Sequence, residues 1–240
     1  MSVAHDSPKI QNRLLASLDP ADLALLSPYL KLRHLKQNVL LHDPGEPLHF
    51  VYFPERGMIS LLAVMEAGSA VETATVGREG AVGVAAGLYG RIATGRAVIQ
   101  VEGDFLEISA SNFQAAVAAS SALRAIVARY NDAQVSLIYQ VAGCNALHQV
   151  TARLCRWLLQ TRDRSESDVI TLTHEFLSEM LGVQRSTVTN LARELQSLGL
   201  INYRRGRIEI VDRPGVERRA CECYATSVRT LEAVFSEPRK

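Results

Sequence analysis

The segment that most constrains this chain is LTHEFLSEMLGVQRSTVTNLAREL, from Leu172 to Leu195. Apolar residues recur at helical spacing on both sides of Gly182. Phe176, Leu177, Met180 and Leu181 precede it, and Val188, Leu191, Ala192 and Leu195 follow. This spacing predicts two short helices, the first capped by Thr173, joined by a tight turn at Gly182 with Val183 filling the corner. The small Ser178 stands four residues before Gly182, where the helices approach. The same spacing leaves Gln184, Arg185, Ser186, Thr187, Thr189, Asn190 and Arg193 on exposed or terminal positions.

Those side chains suit the first turns of a helix in a DNA major groove. Arginine can bond guanine O6 and N7, and asparagine can pair with adenine. Hydroxyls and a helix N-terminus can hold phosphate oxygens. Arg185, Ser186, Thr189 and Asn190 are therefore expected at base edges. Gln184, Thr187 and Arg193 are expected at phosphates or flanking positions. Directly afterwards, Leu198–Asp212 reads as two strands around Arg205-Gly206, a hairpin wing whose Arg204, Arg205 and Arg207 suit a phosphate backbone. The competing reading is a plain helical pair and hairpin with a solvated charged face.

Charge is distributed as this predicts. Residues 1–150 carry 11 Lys/Arg against 13 Asp/Glu, a net of −2, whereas residues 151–240 carry 15 against 12, a net of +3. Hydrophobic residues at 48% and charged residues at 21% are ordinary for a globular chain. No run of 18 apolar residues and no N-terminal apolar signal core is present, so a cytoplasmic protein without a membrane span is expected. Its four cysteines, Cys144, Cys155, Cys221 and Cys223, are expected as thiols. Cys221-Glu222-Cys223 lacks the C-x-x-C spacing and no His pair follows it, so no metal site is expected. No G-x-S-x-G, P-loop or H-E-x-x-H motif occurs, and the chain is not read as an enzyme.

Residues 9–30 read as short helices, with Asp19-Pro20 as a helix start and Leu23, Leu25, Leu26 and Leu30 as core candidates. From about Val39 to Ile108 short apolar runs alternate with turn residues. The runs are Val39–Leu41, Phe50–Phe53, Met58–Val64, Val71–Val76, Ala97–Val101 and Phe105–Ile108. Such spacing predicts a closed or sandwich-like β-domain. Next, Leu123, Val127, Tyr130, Gln134, Leu137, Val141 and Cys144 follow a 4-3 heptad rhythm. Two readings stay open: a seam between two copies of the chain, or a helix packed on its own domain. Gly143-Cys144-Asn145 reads as a break or hinge. A second amphipathic helix follows over Leu147–Gln160, and Thr161–Asp168 reads as a polar loop.

On these residues the chain resembles the Crp/Fnr family of bacterial regulators. The motifs carrying the resemblance are the helix pair over His174–Leu195, the wing after it, the phrase Asp43-Pro44-Gly45-Glu46-Pro47 with Phe50–Gly57, and the long helix through Tyr130 and Leu137. The resemblance implies an α+β fold in three parts. These are a β jelly-roll sensor domain over 1–118, a dimerisation helix and hinge over 119–145, and a winged helix-turn-helix over 146–240. It implies a homodimer on a palindromic site in double-stranded DNA, and contact with RNA polymerase if it is an activator. The alternative is a ligand-sensing protein whose C-terminal module contacts a protein partner.

The family's nucleotide pocket pairs a Gly-Glu with a later Arg-Ser-Ala or Arg-Thr-Ala. Here the corresponding residues are Glu79 and Arg96, and the Arg-Ser/Thr-Ala order is lost, so standard cyclic-nucleotide binding is not expected. No cysteine precedes Cys144, so no iron–sulfur cluster is expected. Arg185-Ser186 and Asn190 replace the Arg-Glu and later Arg of the cyclic-AMP-responsive members, which implies a different operator. Input is expected to shift the seam around Tyr130–Val141, with residues 143–145 passing the change to the helix pair.

Overall fold

The computed structural model describes residues 10–236 except 89, 91, 166 and 205. Two short helices, α1 (Arg13–Ala16) and α2 (Pro20–Leu26), lead into the strands β1 (Lys31–Leu35), β2 (Leu40–His42), β3 (Phe50–Pro54), β4 (Met58–Val64) and β5 (Ala70–Val76). A single helical turn, α3 (Ala85–Leu88), precedes β6 (Arg96–Val101) and β7 (Gly103–Ser109). The strands form two antiparallel sheets, ordered β1-β7-β3 and β2-β6-β4-β5. Ile59, Val76, Ala97, Ile99 and Phe105 are buried together with Val82. This is the sandwich that the alternating apolar runs predict.

Strand β1 is an addition to the expected set. Its residues are exposed or half-buried along its whole length, so it has no apolar face to announce it. It is held by its full ladder to β7, from Lys31 opposite Glu107 to Leu35 opposite Gly103.

Helix α4 (Ala110–Ala119) is followed by the long α5 (Ser121–Leu147). The Ser120 hydroxyl accepts the Leu123 amide and caps α5 at its start. The helix passes through Gly143-Cys144-Asn145 without a break and stops at His148, so the expected hinge is not at 143–145. One glycine costs a long, otherwise well-packed helix only about 1 kcal/mol. The heptad seam is also corrected. Leu123, Val127, Tyr130, Leu137, Val141 and Cys144 are all buried in the chain itself, and Gln134 hydrogen-bonds the Tyr130 hydroxyl. That hydroxyl also accepts the Ala81 amide at 2.9 Å and donates to the Ala81 carbonyl at 3.1 Å. This seam faces the β-domain and the C-terminal helix, and is not free for a second copy.

Beyond it come α6 (Val150–Ser165), β8 (Val169–Thr171), α7 (His174–Leu181), α8 (Arg185–Ser197), β9 (Ile201–Arg204), β10 (Arg207–Ile210), α9 (Arg213–Arg219) and α10 (Cys223–Phe235). Leu154, Trp157, Leu158, Leu177, Val188, Leu195 and Ile208 form a second core. Helix α6 runs five residues past Gln160, so Thr161–Ser165 is helix and not loop. Its charged side chains are engaged: Arg164 Nε donates to Glu79 Oε1 at 2.6 Å, and Asp163 accepts from the Tyr224 hydroxyl at 2.6 Å. Helix α10 lies along α5 and closes the fold.

Candidate nucleic-acid interface

The helix pair is built as its sequence predicts. The Thr173 hydroxyl accepts the Phe176 amide at 3.1 Å, capping α7. Gly182 ends α7 at φ 63°, a left-handed conformation that glycine adopts without a Cβ clash. A Cβ there would meet Val71 Cγ2 at 3.2 Å, so the turn also rests on β5 of the β-domain. Leu177, Met180 and Leu181 of α7 and Val188, Ala192 and Leu195 of α8 are buried. Leu191 is half-buried.

With those residues inside, Gln184, Arg185, Ser186, Asn190 and Arg193 are exposed, and Thr187 and Thr189 are half-buried. The Thr189 hydroxyl donates to the Arg185 carbonyl at 3.0 Å. Gln184 stands at the N-cap of α8. The wing follows as β9 and β10, with Arg204 opposite Arg207 and Ile210 opposite Ile201. Arg204 and Arg207 are exposed; Arg205 lies outside the described residues. A third strand, β8, adds to this sheet through β10, with Ile170 opposite Ile208. The result is an exposed polar helix face on a buried apolar seat, with a basic hairpin beside it.

Residues 152–219 match the family described as the Crp-like helix-turn-helix domain. The C-terminal part of this chain is thus similar to a Crp-like helix-turn-helix domain. Solved structures extend the likeness to nearly the whole fold. A Crp/Fnr-family regulator of Eubacterium rectale superposes with a TM-score of 0.66 at 17% identity, over 86% of this chain and 97% of that one. FixK2 of Bradyrhizobium japonicum gives 0.68 at 13% identity, over 80% and 98%. A Crp/Fnr-family regulator of Thermus thermophilus gives 0.65 at 22% identity, over 79% and 98%. At these identities the likeness is one of fold. No curated protein sequence matches the chain. Among the described residues no helix is long and apolar enough to cross a membrane.

In this Crp/Fnr fold the two expected effector residues are in separate ion pairs. Arg96 Nε is 2.6 Å from Asp43 Oδ1. Glu79 is buried, accepts the Gly77 amide at 3.1 Å, and pairs with Arg164 across the boundary between the β-domain and the Crp-like domain. The structure therefore gives Glu79 an interdomain contact that its turn-like sequence context does not suggest. A Cβ on Gly77 would lie 2.7 Å from Arg164 Cγ, so the arginine stem needs a glycine beneath it. A cleft of about 220 Å³ opens beside this pair, lined by Arg13, Arg78, Glu79, Asp163, Arg164 and Tyr224 among others.

The same boundary buries a second carboxyl. Glu72 of β5 is 5% exposed, and its Oε2 lies 2.7 Å from Ser60 Oγ, which in turn lies 2.5 Å from Gln100 Oε1. The Ser60 hydroxyl has one proton to donate, so both contacts are hydrogen bonds when Glu72 is protonated: the carboxyl donates to Ser60, and Ser60 donates to Gln100. Burial pushes the Glu72 carboxyl up to about 7, against the pull of the Ser60 hydrogen bond and of Arg156 and Arg164. The folded chain then binds more protons than the unfolded chain between about 4.5 and about 7, so stability falls as pH rises through that window. At about 1.4 kcal/mol per pH unit, the loss is on the order of 3–4 kcal/mol. Glu72→Gln keeps a hydrogen-bonding group at the position. Denaturant unfolding should show this slope disappear in the variant, with a gain in stability above pH 7. An unchanged slope would place the titrating group elsewhere.

Four further side chains were not expected to meet. Cys144, His148, Cys221 and Cys223 come together where α5 ends and α10 begins. The sequence has Cys144-x-x-x-His148 at the end of α5 and Cys221-x-Cys223 far downstream. Only the tertiary fold joins the two pairs.

Proposed function

We propose that this chain is a sequence-specific DNA-binding transcription regulator of Crp/Fnr type, acting as a homodimer with one α8 helix per half-site. The observation that carries this reading is the exposed face of α8. Arg185, Ser186 and Asn190 project from a helix whose opposite side is buried through Val188, Ala192 and Leu195, and β9 of the wing, with Arg204, packs against it. Base-edge contacts by Arg185 and Asn190 supply specificity, and wing contacts supply salt-dependent affinity. Selection from random duplexes with the full-length chain tests it. An inverted repeat with half-sites about one helical turn apart is expected. Recovery of no preferred sequence at any salt concentration would refute it.

The dimer surface is the opposite side of α5 from the one the heptad rhythm suggests. Ala125, Ala128, Asp132, Val135, Tyr139, Ala142 and Ala146 form a second 4-3 series along the same helix. All are exposed except the half-buried Ala128. Tyr139 is 75% exposed and Val135 42%. Two such helices can approach closely through the alanines and interlock at Val135 and Tyr139. The single chain does not bury these positions, so Val135→Asp with Tyr139→Asp should leave its circular dichroism unchanged. Sedimentation should show a shift from dimer to monomer. A persistent dimer would move the interface off α5.

Effector input is read at the boundary between the two domains. Glu79–Arg164, the cleft beside it and the Glu72 cluster join the β-domain to α6 of the Crp-like domain. A ligand that binds differently when this boundary is open or closed can shift the position of α8.

A further inference from the structure

We infer that Cys144, His148, Cys221 and Cys223 form a structural site for a tetrahedral, thiolate-preferring divalent cation, with Zn²⁺ the fitting ion. The ligand atoms of all four lie within 4.8 Å of one another. Tetrahedral zinc with Zn–S near 2.3 Å and Zn–N near 2.0–2.1 Å requires S···S edges of about 3.8 Å and S···N edges of about 3.5 Å. Cys144 Sγ and Cys221 Sγ are 3.5 Å apart, and Cys223 Sγ and His148 Nδ1 are also 3.5 Å apart. The side chains are thus already near the spacing that a bound ion imposes. Three sulfurs and one imidazole make a closed Cys₃His set, the chemistry of structural zinc and not of hard cations.

The surroundings fit a metal centre as well. His148 presents Nδ1 to the sulfurs, while its Nε2 lies 3.1 Å from Glu222 Oε1. A carboxylate behind the distal nitrogen fixes the ring and raises its basicity, the usual support for a metal-bound histidine. Gln140 Nε2 donates to Cys223 Sγ at 3.0 Å, a hydrogen bond suited to a thiolate. The three cysteines are buried, and Ala152 packs against them. Binding releases the thiol protons to solvent and involves no change of oxidation state.

The position gives the site its purpose. Cys144 and His148 lie where the chain leaves α5 for the Crp-like domain. Cys221 and Cys223 lie where it leaves that domain for α10. One ion would clamp both crossings and close a loop containing all of residues 152–219. It would fix the Crp-like domain to the end of α5, and so fix where α8 points.

The test uses the full-length chain, produced with Zn²⁺ supplied and purified under reductant. Elemental analysis should give one zinc per chain. Exchange for Co²⁺ should give thiolate-to-cobalt charge-transfer bands in the near ultraviolet and intense tetrahedral d–d bands. A strong chelator should lower the unfolding midpoint by about 5–10 °C. Cys221→Ser with Cys223→Ser should lose metal and spectrum, whereas Cys155→Ala, in a separate core, should keep both. The wild-type cobalt spectrum decides the question even if the double variant does not fold. A metal-free chain with freely titrating thiols, an octahedral cobalt spectrum, or a Cys144–Cys221 disulfide formed under the same conditions would each overturn the assignment.

Discussion

Replacing Arg164 by alanine should lower the unfolding midpoint of the full-length chain by about 6–12 °C. The pair it forms with Glu79 is about nine-tenths buried on both sides. Removing one member leaves a carboxylate in a poorly solvated site, where breaking a buried pair costs about 3 kcal/mol or more. For a chain of this size each kcal/mol is worth about 2–4 °C. Glu79 would keep the Gly77 amide as a donor but lose its arginine. The control is the double variant Arg164→Met with Glu79→Gln, which removes both charges and keeps the volume. It should recover most of the loss, because no unpaired charge is left buried, and the glutamine amide oxygen can still accept the Gly77 amide. Gly77→Ala should reproduce part of the Arg164→Ala effect, since its methyl would displace the arginine stem. Calorimetry on the four proteins settles the matter. If Arg164→Ala melts with the wild type, the two domains are not held by this pair, and the boundary loses its role in effector input.

This contact also shows what the sequence could reveal and what it could not. The helix pair and wing were legible because their signals are local. Apolar spacing, the Thr173 cap and the left-handed glycine at 182 lie within a few residues of one another. The strands were legible for the same reason, except β1, held by its ladder to β7, and β8, three residues added to the wing sheet through β10. Helix α5 is legible as a helix, and of the two readings of its heptad stripe the structure shows the one packed on its own chain. It carries two interleaved 4-3 series, and the larger apolar one is consumed by the chain's own core. Periodicity identifies a stripe; it does not say what covers the stripe. Thr161–Ser165 reads as loop because its residues are polar, yet Arg164 pairs with Glu79 of the β-domain and Asp163 with Arg213 and Tyr224, contacts that no local pattern announces. Glu79–Arg164 spans 85 positions, and Cys144–Cys221 spans 77. No local pattern reports contacts at that range. The charge split between the two parts of the chain pointed correctly to a basic C-terminal domain, but not to the residues that join the domains.

The second large effect is expected at α8. Arg185→Ala with Asn190→Ala should weaken binding to the selected inverted repeat by about 10²–10⁴-fold, from about 1–3 kcal/mol per lost base contact. The fold should survive. Both side chains are exposed, and alanine is a good helix former, so the unfolding free energy should change by no more than about 0.5 kcal/mol for each substitution. The specific signature lies in the comparison with the wing. Arg204→Ala with Arg207→Ala should weaken binding to all duplexes alike and reduce the salt slope by about 2, one for each lost phosphate contact. The α8 variant should instead lose the preference between the selected site and random DNA, while keeping much of its non-specific affinity. Anisotropy titrations at several salt concentrations, with both duplexes and both variants, separate these outcomes. Equal losses on both duplexes for the α8 variant would assign Arg185 and Asn190 to the phosphates. The polar face of α8 would then anchor the protein on the duplex, and sequence would have to be read through DNA shape.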